Sequence, residues 1–136
     1  QPTCCAPRSM RALIDEGHAL IGYDQPAPYV RELARRYEIG VGNICWGNDF
    51  PHPEGTWPHT REFLRNAFWD IPHDETAAML GRNAAEVYGF DLAAMDEIGR
   101  RIGPRADDVA VPLAPPDYPT DTTCNAFDPD AVVRSW

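Results

Sequence analysis

Lysine is absent from the 136 residues; all twelve basic side chains are arginine. Schiff-base or carbamylated-lysine chemistry cannot be served by this segment. Acidic residues outnumber basic ones, 21 to 12, for a net charge of −9. A surface of that sign excludes a phosphate-tracking nucleic-acid binder and an anionic-membrane binder, since both need clustered positive charge. No run approaches the roughly 18 apolar residues of a membrane span, and no basic-then-apolar leader is visible. The cysteines are few (Cys4, Cys5, Cys45 and Cys124) and none are in C-x-x-C spacing. They read as reduced thiols of a cytoplasmic protein. Also missing are H-x-H, H-E-x-x-H, a P-loop and G-x-G-x-x-G. His18, His52, His59 and His73 are too dispersed for a local metal cluster, and a mononuclear zinc site takes about three protein ligands.

What is present suits one globular unit: 43% apolar and 10% aromatic residues, enough for a core. The length is far below the roughly 250 residues of a complete (β/α)₈ barrel. With Gln1 at its start, the chain is expected to be a piece of a longer one. Charge is balanced over residues 1–40. Residues 106–136 carry six aspartates against Arg134 alone, the composition of a solvated tail.

Residues 18–23 form a short apolar run suited to a buried strand. Pro26 then sits in a first helical turn, followed by Tyr29, Val30, Leu33, Ala34 and Tyr37 at helical spacing, with Gly40 and Gly42 as the stop. Residues 43–47 are a second apolar run without polar alternation, as in a strand covered on both faces. Strand, helix, strand predicts a parallel βαβ unit. Residues 48–58 are a Pro-, Gly- and aromatic-rich loop at the carboxyl end of the second strand, where α/β folds place their chemistry. Thr60 is expected to cap a helix through Phe68. A further helix from Pro72 or Asp74 would bury Ala77, Ala78 and Leu80 and break at residues 81–83. A turn then ends at Gly89, and Asp91 caps a last helix with Leu92, Met95, Ile98 and Ile102 inward. The domain expectation is a poorly matched end over 1–17, the α/β body over 18–103, and over 104–136 a Pro-rich acidic tail that wraps the body or stays mobile.

Asp49 is the leading chemical candidate. A carboxylate just past a buried parallel strand can bind a divalent metal or take a proton from metal-bound water; the alternative is an Asx-turn residue. His52, three residues on, can orient a substrate, bond the aspartate or ligate metal, or simply pack against Trp57. Phe50 and Trp57 can line an apolar pocket or merely seat the loop. Glu54, His59 and His73 read as solvated, His18 as structural and Cys45 as a small buried apolar residue. Arg82 and Asn83 read as structural, with Asn83 satisfying free backbone groups at the helix break.

Residues 39–52, Ile-Gly-Val-Gly-Asn-Ile-Cys-Trp-Gly-Asn-Asp-Phe-Pro-His, followed by Glu-Gly-Thr-Trp-Pro at 54–58, resemble the last strand and loop of the amidohydrolase-related metal-dependent hydrolases. Residues 81–90, Gly-Arg-Asn-Ala-Ala-Glu-Val-Tyr-Gly-Phe, resemble that family's closing helix. The resemblance spans 21–91 and extends to about residue 113, leaving 1–20 outside it. It implies an α/β fold: the last two β/α units of a TIM-type barrel, with C-terminal helices and a Pro/Asp-rich tail. It also implies hydrolysis of C–N or C–O bonds, or decarboxylation, with one divalent metal, commonly zinc. Asp49 matches the strand-eight aspartate at the metal, and His52 a loop position beside it. The remaining ligands would lie upstream of Gln1, so the segment alone is expected to be inactive.

Two readings follow. In the first, the chain is the carboxyl-terminal part of a metal-dependent hydrolase, or of a related carboxy-lyase. It acts on a small molecule, alone or as a homo-oligomer, with Asp49 and His52 catalytic and Phe50 and Trp57 as pocket walls. In the second, it is a non-catalytic remnant that exposes apolar surface on the strands of Ile21 and Ile44.

Overall fold

The computed structural model describes residues 21–23 (as backbone), 33–48, 50–53 and 55–122. The two apolar runs form the expected parallel pair. Strand β1 (Ile21–Tyr23) lies beside β2 (Ile44–Trp46), with Ile21 opposite Ile44 and Tyr23 opposite Trp46. Among the described residues these are the only strands, so of the expected barrel only one parallel pair is on view. Between them, helix α1 (Arg36–Ile39) ends at Gly40 and a 3₁₀ turn (Val41–Asn43) leads into β2. Gly40 has φ +95°, and a Cβ there would meet the Asn43 amide nitrogen at 2.7 Å, so glycine is required. That amide donates to the Ile39 carbonyl at 3.0 Å and closes the end of α1.

Helix α2 (Thr60–Phe68) runs where the periodicity places it, and it buries Phe63, Leu64, Ala67 and Phe68. Thr60 is not its cap, however. His59 occupies that position, while the Thr60 hydroxyl is shared with the Thr56 hydroxyl at 3.1 Å.

The next segment departs further from expectation. Helix α3 (His73–Ala77) does not break at residues 81–83. It passes through a π-helical turn (Ala78–Arg82) directly into α4 (Asn83–Tyr88). A π turn accommodates an extra residue and rotates the following side chains relative to a regular helix. The fully buried face is Thr76, Met79, Asn83 and Ala85; of the expected residues Ala77 is exposed, while Ala78 is half-buried and Leu80 is half-buried against the core. Gly89, at φ +68°, stops α4 as expected, in the left-handed conformation of a helix terminus.

Helix α5 (Leu92–Ile102) is capped by Asp91, whose Oδ1 accepts from the Ala93 and Ala94 N–H groups at 3.0 and 3.2 Å. The cap was legible, but the packing was not. Leu92, Met95, Ile98 and Ile102 are all exposed, because no other described element covers that face. Helix α6 (Ala106–Val109) follows. The Asp108 carboxylate reaches back to accept the Arg105 N–H at 3.0 Å, one half of a capping box.

The segment beyond α6 wraps the body along α2. Val109 and Leu113 are buried in the core. Arg65 donates to the carbonyls of Val111 and Pro112 at 3.0 and 2.9 Å, and the Tyr118 hydroxyl donates to Asn66 Oδ1 at 3.2 Å. Together with Leu33, Ile44, Ile71 and Met79, the buried faces of α2 and this strap make one core beneath β2. Ile44 is 1% exposed, so the bare apolar surface expected of a remnant is not found there. Burying a side chain such as Phe63 or Phe68 contributes about 1.5–3 kcal/mol.

Candidate functional site

The start of β2 is held by a single amide. Asn83, buried at the start of α4, donates from Nδ2 to the carbonyls of Val41 and Ile44, both at 2.8 Å. It satisfies free backbone groups, as its sequence position suggested. Those groups lie about forty residues away on the strand, not at a helix break.

Beyond Trp46 the chain leaves the sheet through the half-buried Gly47 and Asn48. Asn48 then makes the neck of the loop. Its Oδ1 accepts the Phe50 N–H at 3.1 Å, an Asx turn, and its carbonyl accepts the Thr56 N–H at 3.0 Å. Thr56 is buried at 1% exposure and anchors the return of the chain into α2. Inside the neck, the Gly55 N–H donates to the His52 carbonyl at 3.0 Å. The chain thus departs at Asn48 and returns at Thr56 through one closed neck near the carboxyl end of a parallel strand.

Asp49, the leading candidate, and Glu54 lie outside the described residues, as does His18. His52 lies on the exposed part of the loop. Phe50 and Trp57 are brought together: their rings meet edge to face at 5.6 Å between centroids and 74°. Each remains 61% exposed, so the pair is open to solvent and not a filled core contact. Trp46 at the end of β2 stacks on Phe63 of α2 at 6.4 Å.

His59 departs from its expected solvated role. It is partly buried, and its Nε2 lies 2.8 Å from Asp121 Oδ1 at the end of the strap. The pair has the distance of an ion pair but lacks the alignment of a hydrogen bond. His73 is exposed at the first turn of α3, as expected. Cys45 is half-buried, less than a core residue, and burial pushes its thiol pKa up, away from nucleophilic character. Cys4, Cys5 and Cys124 lie outside the described residues.

Sequence reasoning missed Asn48 and Thr56 as the residues that shape the loop. The Asn48-x-Phe50 spacing carried a signal for the first, since asparagine side chains bond the backbone two residues on. Nothing local marked Thr56, whose partners are set by how the loop returns.

Among the described residues, no group of three His, Cys, Asp or Glu side chains could hold a metal ion. They do not by themselves form the donor set that a divalent cation takes. Nor is any described helix long and apolar enough to cross a membrane.

A family model described as Amidohydrolase matches residues 5–90. The match begins earlier than the residues that carry the motifs, taking in part of the segment expected to match poorly, and it stops before α5. Searches of curated proteins and of solved structures return no match.

Proposed function

Because this chain belongs to the amidohydrolase family, we propose that it carries the carboxyl-terminal part of a metal-dependent hydrolase site acting on a small molecule. The observation that supports this is the neck closed between Asn48 and Thr56 near the carboxyl end of β2 in a parallel pair. That end of a parallel strand is where barrel enzymes of this type assemble their chemistry.

In this reading Asp49 is the carboxylate that binds a divalent metal, zinc by family habit, or accepts the proton of the attacking water. His52 assists from the same loop, and Phe50 with Trp57 bounds the substrate. The other metal ligands come from sequence outside these 136 residues, and the fold around them is a TIM-type barrel. The test is Asp49→Asn in a chain that includes those ligands. The expected result is a loss of about 10²–10⁴ in kcat with the fold intact by circular dichroism. Unchanged turnover removes Asp49 from the site. Assaying CO₂ release beside hydrolysis separates the carboxy-lyase chemistry of the same family from the hydrolase.

A further inference from the structure

Asn48 holds the chain on both sides of position 49. Its side-chain Oδ1 accepts the Phe50 N–H at 3.1 Å, and its carbonyl accepts the Thr56 N–H at 3.0 Å. The first bond spans position 49, and an asparagine that bonds the backbone two residues on restricts the residue between. The second ties that turn to the returning chain. Thr56 is a firm anchor for it: the residue is 1% exposed, and its hydroxyl pairs at 3.1 Å with that of Thr60, the first residue of α2. On the strand side, Asn48 lies two residues past Trp46, which ends β2 and stacks on Phe63 of α2. Asn48 thus stands between two packed supports, whereas Phe50, Pro51, His52 and Pro53 beyond it are exposed.

The residue type fits that task. Alanine would leave the Phe50 N–H to water, and serine can make the same turn more weakly. Aspartate would accept the same N–H, but it would set a second negative charge beside Asp49. A like charge disfavours the ionised form of a neighbouring carboxylate. Asparagine supplies the acceptor without the charge. Placement matters because a reacting group displaced by about 1 Å can cost about 10²-fold in rate.

We infer that Asn48 is a positioning residue for the reaction: its two bonds hold the backbone from which Asp49 presents its carboxylate. The inference rests on the role of Asp49 proposed above and names the residue on which that role depends.

Two measurements test it. On these 136 residues, amide hydrogen exchange reads the turn without any turnover. The Phe50 N–H is expected to exchange several-fold faster in Asn48→Ala than in the wild type, and at an intermediate rate in Asn48→Ser. Unchanged exchange in Asn48→Ala overturns the inference. In a chain that includes the remaining ligands, Asn48→Ala is expected to lower kcat by about 10–10²-fold, with KM changed much less. Asn48→Ser is expected to recover most of that loss, and Asp49→Asn is measured beside both. Asp49→Asn that loses turnover while Asn48→Ala keeps its kcat overturns the inference and leaves the proposed function standing. If neither variant loses turnover, both fall. An equal loss in Asn48→Ala and Asn48→Ser overturns the inference as well. So does a fall in the folded fraction large enough to account for the lost turnover, because Asn48 then only stabilises the loop.

Discussion

The side-chain amide of Asn83 donates to the main-chain carbonyl of Ile44 at 2.8 Å, across thirty-nine residues of sequence, and through the same nitrogen to Val41. One helix residue thus fixes the entry and the body of the strand that carries the loop. Asn83→Ala removes the side-chain donor from both carbonyls; that of Val41 keeps the Ile44 N–H, so the Ile44 carbonyl bears the loss. An unsatisfied buried polar group costs about 1–3 kcal/mol. The variant is expected to lose about 1–3 kcal/mol in a denaturant titration. Asn83→Asp is expected to lose at least as much, because a carboxylate offers only acceptors to the two carbonyls.

The strap is part of the core, although it lies beyond the family match. Leu113 is 8% exposed and packs in the same cluster as Phe63 and Leu64. Leu113→Ala is expected to cost about 2–4 kcal/mol by the same titration. A change under about 0.5 kcal/mol would mean that the strap is peripheral.

Acid stability is tied to one ion pair between α1 and α3. Arg36 Nε meets Glu75 Oε2 at 2.6 Å, and the Tyr37 hydroxyl donates to Glu75 Oε1 at 2.9 Å. The Arg36 hydrogen bond, aided by that of Tyr37 and opposed by burial, holds the Glu75 carboxyl below the usual glutamate range. A carboxyl depressed on folding binds its proton less readily in the folded chain than in the unfolded one. Its contribution is therefore complete above the unfolded value, about 4.3, and is lost as pH falls through the lower folded value. Glu75→Gln is expected to flatten the acid limb of stability against pH below about 5 and to lower stability near neutrality. Melting temperatures across that range check both.

Trp57 separates binding from folding. It is 61% exposed and meets Phe50 edge to face, so Trp57→Ala is expected to change stability by no more than about 1 kcal/mol. As a pocket wall its loss should raise KM by about tenfold while leaving kcat within a few-fold. Steady-state kinetics beside a thermal melt give the two numbers. A KM that does not move returns Trp57 to the role of seating the loop.

The sequence by itself determined the local events. The two apolar runs became the parallel pair of Ile21–Tyr23 and Ile44–Trp46. Thr60–Phe68 became a helix, and Gly40, Gly89 and Asp91 became its neighbours' stops and start. Each of these rests on periodicity or on hydrogen bonds within a few residues, which the order of side chains encodes directly. The loop and its aromatic pair were legible for the same reason, and Asn48 was at least signalled. Tertiary structure decided what required distant partners. It carried the helix through residues 78–82 as a π turn, so that Met79 and Asn83 are buried, Leu80 is half-buried against the core and Ala77 is exposed. It drew Leu113 and Tyr118 of the acidic tail onto α2, and it left the stripe of α5 without a described cover, where amphipathicity alone predicted burial. Periodicity says that a face is apolar; only the positions of the other elements say what covers it.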